Sequence, residues 1–353
     1  MIIPHSRPTL HESDIQAVAN VMRSGHIAQG VAVSQFEEQL ASYIGVKGGV
    51  ATSSGTAALH LALLALGIGE GDEVAMPSYV CSALLHAVLY TGGSPLLVDI
   101  DPHTLNLDVK DLRKRLTRKT KAVIVPHMFG LPATLDEIAS LGLPMIEDCA
   151  HSIGATYKGN QVGSFGEIAI FSFYATKMLA TGEGGMIVSR SQELLDRVRD
   201  LREYDEKEDN QIRYNYKMTD MQGALGLSQL SQLETFISKR RAIARTYTDR
   251  LNALPLILPG EYEESTHIYY RYVIRISQGR APYHDLMTHR AAAYRRPVYR
   301  PLHTYVNLTG FPNSDQAWQE ALSIPIYPSL SDEEIDLILT TIHDCFKDRG
   351  SKA

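Results

Sequence analysis

Short, nearly unbroken apolar runs alternate with stretches of helical period along the first part of this chain. VATSSGTAALHLALLALGIG reads as a short strand, a Ser/Gly/Thr turn and an apolar helix closed by Gly67 and Gly69. Before it, Ser34 stands where it could cap a helix through QFEEQLASYIG that ends at Gly45. After it come EVAMP, a helix over 81–90, PLLVDID, a helix over 109–116, KAVIVPHMF, a short helix over 135–141 and PMIEDCA. EIAIFSF and GGMIVSR continue the strand series. Strands that are apolar throughout, rather than alternating, belong to a mostly parallel sheet covered on both faces. Their alternation with helices predicts βαβ units and a three-layer α/β fold.

From residue 219 to about 254 the pattern turns helical and stays so, which predicts one long helix linking two domains. Beyond it, YYRYVIRI alternates as a half-exposed strand does. A helix over 283–293, the segment PVYRPLH and a last helix over 332–346 complete a smaller α+β domain. The expected division is a large domain over 1–240 and a small C-terminal one over 241–353.

A chain of 353 residues can bury a large core, and 44% hydrophobic with 21% charged residues suits a globular protein. The net charge of -6 lacks the basic footprint of a nucleic-acid binder. Cys81, Cys149 and Cys345 form no CxxC pair and no metal-ligand spacing, so no metal site and a reducing, cytoplasmic setting are expected. The first residues carry no basic region followed by an apolar run, and ALHLALLALGI is too short to span a bilayer, so no membrane segment is expected.

The candidate chemistry begins at IAIFSFYATKMLATG, residues 168–182, where Lys177 is the only charge. Burial among Phe171, Phe173, Tyr174, Met178 and Leu179 would disfavour an ammonium and leave an amine able to attack a carbonyl. Asp148 ends the strand PMIEDCA, on the side of a sheet where ligands bind, and a carboxylate there needs a cationic or proton-donating partner. A protonated pyridine nitrogen would serve; an ordinary salt bridge is the plainer alternative. Ser54, Gly55 and Thr56 lie in a turn at a helix N-terminus, where free amides and the helix dipole favour a phosphate. Ser172 can add a hydroxyl, and TGEGG supplies a turn just after the lysine. Phosphate cradle, ring-nitrogen acid and nucleophilic lysine are together what pyridoxal 5′-phosphate (PLP) requires.

Across almost its whole length the chain resembles the DegT/DnrJ/EryC1/StrS family of PLP-dependent aminotransferases, of fold type I, aspartate aminotransferase-like. The resemblance rests on SGHIAQGVAVSQFEEQLASYIGV, SSGTAAL, EDCAHSIGA, FSFYATKMLATGEGG, YNYKMTDMQGALGLSQL and RPVYRPLH. It implies that Lys177 forms the internal aldimine and later moves the substrate proton. It further implies that Asp148 keeps the pyridine nitrogen protonated, that His151 lies beside the ring, and that Gly55, Thr56 and Ser172 bind the phosphate. Asn215 matches a residue that reaches the phosphate of a neighbouring subunit, so the resemblance implies a homodimer with shared active sites. In this family an aromatic side chain often stacks on the ring; here Cys81 occupies that place, with Tyr79 two residues before it.

The resemblance also implies two half-reactions, in which glutamate or glutamine gives its amine to the cofactor and a keto-sugar, commonly on a nucleotide diphosphate, receives it. Arg290, Arg295, Arg296 and Arg300 cluster in THRAAAYRRPVYRPLH, where arginine forks suit diphosphate oxygens, and His303 lies on the PLH segment. A solvated basic face is the ordinary alternative for each arginine. Related acceptors, such as cyclitols, form a second reading. A PLP-dependent sugar dehydratase would carry histidine at position 177, and a non-catalytic PLP-binding protein would not need Lys177, Asp148 and His151 together.

Overall fold

A seven-stranded sheet organises the first part of the chain. The computed structural model describes residues 2–281, 283–284 and 292–350. Its strands in chain order begin with β1 (Gly48–Thr52), β2 (Glu73–Pro77), β3 (Ser94–Val98), β4 (Thr120–Pro126) and β5 (Met145–Asp148). The short pair β6 (Thr156–Tyr157) and β7 (Asn160–Gln161) follows, then β8 (Ile168–Ser172) and β9 (Gly185–Ser189). The large sheet runs β1-β9-β8-β5-β4-β2-β3, and only β9 is antiparallel to its neighbours. Successive side chains of a strand face opposite sides, so each strand feeds two cores. In β4, Ile124 joins the core that holds α3 (Gly55–Ala65) and α4 (Ala83–Tyr90), whereas Val123 and Val125 join the core of α2 (Val31–Ile44). Both faces are covered, which is why these strands read as unbroken apolar runs.

Ser34 does not cap α2. The helix starts at Val31, with Gly30 as its N-cap, and the Ser34 hydroxyl turns back onto the Gly30 carbonyl. The cap comes from far along the chain. Asp220 accepts hydrogen bonds from the backbone N–H groups of Gly30 (2.7 Å), Ala32 (3.2 Å) and Val33 (3.0 Å). A buried carboxylate thus satisfies three donors that a helix start leaves open, and its charge suits the positive end of the dipole.

The long helix predicted over 219–254 is two helices, α8 (Asp220–Leu230) and α9 (Leu233–Leu251). Thr219 and Gln222 form a capping box at the start of α8. The break at Ser231 and Gln232 separates a helix that packs beside α2, with Gly226 against Phe36, from one that changes core midway. Leu233 and Ile237 of α9 belong to the α2 core, while Ile243, Ala244, Tyr247 and Leu251 belong to a third core with Ile338, Leu339 and Ile342 of the last helix, Asp332–Gly350. That third core also backs the two-stranded sheet β11 (Tyr272–Arg275) and β12 (Ala321–Ile324). β10 (Ser265–Thr266) pairs with β6 instead.

The strand in YYRYVIRI is not half-exposed, since all four residues of β11 are buried. The alternation is real, but it sorts side chains between cores instead of between core and water. Ile268 and Tyr270 enter the α2 core, and Tyr269, Tyr272 and Ile274 enter the third core. Residues 268–271 lie along Phe129 and Gly130, with Ile268 N–H donating to the Gly130 carbonyl (3.1 Å) and Arg271 N–H to that of Phe129 (3.3 Å). Gly130 has φ +98° and a Cβ there would stand 2.8 Å from Ile268 Cγ1, so only glycine permits this approach. Most of the helix predicted over 283–293 lies outside the described residues. Among the described residues no helix is long and apolar enough to cross a membrane.

Replacing the Asp220 carboxylate should test the distant cap. Asp220→Ala is expected to lower unfolding stability by about 2–4 kcal/mol, read from urea midpoints, because three buried donors lose their acceptor. Ser34→Ala should change it by less than about 0.5 kcal/mol; equal effects of the two variants would refute the assignment.

Candidate active site

The carboxyl ends of five sheet strands point their following loops at one cavity of about 300 Å³. β1 delivers Ser54, Gly55 and Thr56, and β2 delivers Val80 and Cys81. β4 leads to His127 and Met128, β5 ends in Asp148 and leads to His151, and β8 ends in Ser172. Lys177 and Glu183 close the wall from the turn beyond β8.

Ser54 caps α3, its Oγ accepting from Ala57 N–H at 3.1 Å. The Ala58 N–H is taken by the Ser54 carbonyl, and those of Gly55 and Thr56 have no partner among the described residues. Two open donors at the positive end of an apolar helix form an anion site. Gly55 is needed for its shape: a Cβ there would stand 2.7 Å from Ser172 Cβ and 3.0 Å from its Oγ. The Ser172 hydroxyl is thereby held directly beside the two amides.

Glu147 and Asp148 are adjacent in β5, both buried, and differ in every other respect. Glu147 accepts from Gly163, Phe165 and Gly166 N–H at 2.7–2.8 Å and pairs with His127 Nε2 at 3.2 Å. His127 Nδ1 accepts from Ala133 N–H, which leaves the ring proton on Nε2, directed at Glu147. Burial works to raise the Glu147 carboxyl, but the hydrogen bonds from His127 and from the backbone donors outweigh it and hold it below its ordinary 4.5. Cys149 Sγ lies within 4.8 Å of both, yet His127 has no free ring nitrogen for a metal. Asp148 has one hydrogen bond, from Ala150 N–H to Oδ1 at 3.0 Å. Burial raises its carboxyl above the ordinary value, against the pull of that bond and of the Lys177 charge. A buried carboxylate with an unused oxygen on a cavity wall calls for a cationic or proton-bearing partner.

Lys177 is only partly buried, and Tyr174 beside it is exposed, so the apolar cage expected around the amine is absent. Phe171, Phe173, Met178 and Leu179 pack into the core behind it. The amine instead sits over the ring of Tyr270, 5.1 Å from its centroid. The same ring stacks on His151 at 4.3 Å and 25°, and its hydroxyl lies 3.3 Å from Thr176 Oγ1. Burial, and then the charges of Lys177 and Arg271, push the His151 imidazole well below its ordinary range, so it is neutral. Burial favours the neutral phenol of Tyr270, but Lys177, Arg271, the Thr176 bond and Arg240 outweigh it and bring its pKa down to about 8. Tyr270 gave no signal in the sequence, where it reads as one more strand aromatic.

Other predicted residues lie elsewhere. Cys81 is exposed on the cavity wall, whereas Tyr79 is fully buried and aims its hydroxyl at the Ala317 carbonyl, 3.5 Å away. Asn215 is exposed and does not line the cavity. Arg295, Arg296 and Arg300 are exposed and also off it, and Arg290 lies outside the described residues. His303 does not reach the cavity: it is buried, with Nδ1 2.7 Å from Ser78 Oγ, Nε2 3.1 Å from Asp315, and its ring stacked on Phe311. It braces the loop that carries Cys81.

Comparison with known proteins matches residues 8–343 to the DegT/DnrJ/EryC1/StrS aminotransferase family. The chain belongs to that family. It is 35% identical to a GDP-perosamine synthase of Escherichia coli O157:H7 over 98% of this chain and 99% of that protein. Among solved structures, the aminotransferase TlmJ from Streptoalloteichus hindustanus superposes with a TM-score of 0.94 at 31% identity, covering 99% of this chain and 100% of that one. A putative sugar aminotransferase from Streptococcus pneumoniae, Spr1654 in its PLP form, superposes with a TM-score of 0.92 at 26% identity, covering 99% of each chain.

The protein is thus a PLP-dependent aminotransferase of fold type I, and its cavity fits the cofactor. The open amides of Gly55 and Thr56 with the Ser172 hydroxyl can hold a phosphate. Asp148 and Lys177 line the same cavity, where the first would hold a protonated ring nitrogen and the second would offer an amine to an aldehyde. In this aminotransferase, Gly55→Ala should weaken PLP retention by about tenfold or more, measured by absorbance after dialysis, because the new methyl would occupy the cradle. An unchanged affinity would show that the phosphate sits elsewhere. Glu147 has a depressed carboxyl, so its contribution to stability is full above about pH 4.5 and fades as pH falls below that value. Glu147→Gln should accordingly lose about 2–4 kcal/mol at pH 7 and progressively less in acid, read from urea midpoints at both pH values.

Proposed function

We propose that this aminotransferase moves an amino group from glutamate or glutamine to a keto-sugar carried on a nucleotide diphosphate. The observation that carries the catalytic part is the meeting, in one cavity, of an amine, an uncompensated carboxylate and open helix-start amides. The sugar part is supported by relatives named for GDP-perosamine synthesis. Bound PLP supplies an aldehyde that takes an amine and a ring that withdraws electrons from it. Lys177 would hold the cofactor aldehyde through Nζ and, when free, would serve as the group that moves the proton at the substrate carbon. Asp148 holds the proton on the ring nitrogen. His151, neutral and stacked on Tyr270, presents a hydrogen-bonding edge beside the ring without adding charge. Ser54, Gly55, Thr56 and Ser172 anchor the phosphate, and Cys81 gives the ring a thin van der Waals contact. Arg295 and Arg300 serve the acceptor's diphosphate from outside the cavity.

The site is read as shared across a homodimer. Asn215 is held outward by a strap: Tyr214 N–H donates to Leu201 O, Tyr216 N–H to Arg202 O, and Ser53 N–H to Tyr216 O at 2.7 Å. The flanking tyrosines stack at 5.0 Å and lean on His60 of α3. Asn215 thus lies exposed and off its own cavity, where its amide would be free to donate to a partner's phosphate. Exposed Ile212 and Tyr174 nearby are apolar surface that a second copy would cover. Residues 1–240 form the PLP-binding domain in this reading and 241–353 the smaller one. The three free cysteines suit a cytoplasmic setting.

Borohydride reduction and peptide mapping should place the PLP adduct on Lys177, and Lys177→Ala should fold, lose the cofactor band and show no turnover. An adduct on another lysine would overturn the mechanism. Nucleotide-linked keto-sugars should return the pyridoxamine-form spectrum to the starting one; recovery with cyclitol ketones alone would move the acceptor to that class. Mixing inactive Lys177→Ala and Asn215→Ala subunits should restore part of the activity if sites are shared, and no recovery from fully dimeric mixtures would sink the shared site.

A further inference from the structure

The residues that line the cavity come from positions 54–183, yet the Lys177 amine rests on a side chain from much farther along. Lysine carries its charge on a flexible four-carbon stem, so a lysine on a cavity wall has many positions open to it. Among the described residues Lys177 Nζ has no hydrogen bond and no ion pair that would select one of them. What it has is the ring of Tyr270, whose centroid lies 5.1 Å away. The face of an aromatic ring attracts a cation at that range, and the attraction grows where water is excluded. Tyr270 is 5% exposed.

The ring is itself held in place. His151 stacks on it at 4.3 Å and 25°. Its hydroxyl lies 3.3 Å from Oγ1 of Thr176, the residue next to the lysine. Its backbone is clamped by Arg240, whose Nη1 donates to the carbonyls of Tyr269 (3.3 Å) and Tyr270 (3.1 Å). Ile268 N–H and Arg271 N–H tie the same strap to the Phe129–Gly130 corner, where a Cβ on Gly130 would stand 3.0 Å from Tyr270 N. Burial by itself would raise the phenol. The charge of Lys177, that of Arg271 with Cζ 5.4 Å from the ring centroid, the Thr176 bond and the charge of Arg240 together bring it down to about 8. His151, also against the ring, is neutral.

We propose that Tyr270 is a positioning residue for Lys177: its ring holds the amine at one place on the cavity wall, while the His151 stack and the Thr176 bond hold the ring. Tyr270 acts through the lysine. The inference rests on the reading of Lys177 as the lysine that takes the cofactor's aldehyde, and not on the identity of the amino donor or acceptor. Two tasks are thereby separated. The helix-start amides, Ser172 and Asp148 govern how tightly the cofactor is held, and Tyr270 governs how readily the lysine reaches it. A residue that only packed the wall would affect both together.

Two measurements on the full chain, freed of cofactor, test this. Ultraviolet titration should show one tyrosine ionising near pH 8, and Tyr270→Phe should remove that step. Lys177→Ala should move it to higher pH, because the phenolate loses a cation that favours it. Absence of the step, or a step that Lys177→Ala leaves in place, shows that amine and ring are not in contact and overturns the proposal. In the second measurement, Tyr270→Leu removes the aromatic face and keeps an apolar side chain. On mixing with PLP, its cofactor band should appear ~10- to 100-fold more slowly, as for a reacting group displaced by about 1 Å, while pyridoxamine 5′-phosphate, which has no aldehyde, should bind within about threefold of wild type by calorimetry. Tyr270→Phe keeps the face and should attach PLP at close to the wild-type rate. Equal weakening of both probes in Tyr270→Leu would mark a structural role and overturn the proposal, as would unchanged attachment. If Tyr270→Leu fails to fold, the titration of wild type and Lys177→Ala decides. A borohydride adduct on a different lysine in wild type would instead overturn the reading of Lys177, and the titration would still report whether ring and amine touch.

Discussion

Two neighbouring carboxylates at the end of β5 face opposite sides of the sheet, and the site depends on how differently they are treated. Glu147 is saturated by three backbone donors and a histidine, so it ties the 163–166 turn to the strand and cannot do chemistry. Asp148 is equally buried and has a single bond. The first holds the strand end still; the second remains a charge in search of a partner. A ligand that brings a proton-bearing nitrogen would resolve that imbalance.

The C-terminal part of the chain takes part in the active site through one strap. Residues 268–271 cross the Phe129–Gly130 corner so closely that a side chain at position 130 would collide with Ile268. The strap places Tyr269 in one core and Tyr270 in another, and Tyr270 contacts both His151 and the Lys177 amine. The neighbouring loop from Ser78 to Cys81 is braced from the same side by His303, which joins Ser78 to Asp315.

Local signals placed some features. The Ser54–Thr56 turn, the acid at the strand end and Lys177 were picked out by residue type and spacing, and the fold brings them to one cavity. Family membership follows from the same segments and is borne out by the comparisons. The misses share one cause. Ser34 has the right residue type for a cap, but the helix already starts at Val31, where Asp220 supplies a charged acceptor to the amides of Gly30, Ala32 and Val33 from far along the chain. The helical pattern over 219–254 runs on unbroken, but its two halves serve different surroundings and the axis breaks at 231–232. Alternation in YYRYVIRI is genuine, yet water is on neither side.

The amino-acid sequence by itself determined the strand and helix order, the layered α/β class and the three groups that suit PLP, because backbone period and side-chain chemistry act within a few residues of one another. Tertiary structure alone decided which buried charge is satisfied and which aromatic lies beneath the lysine amine. Those outcomes depend on partners brought together from distant parts of the chain, and the energy of burying a charge is set by what surrounds it in space, not by its neighbours along the backbone.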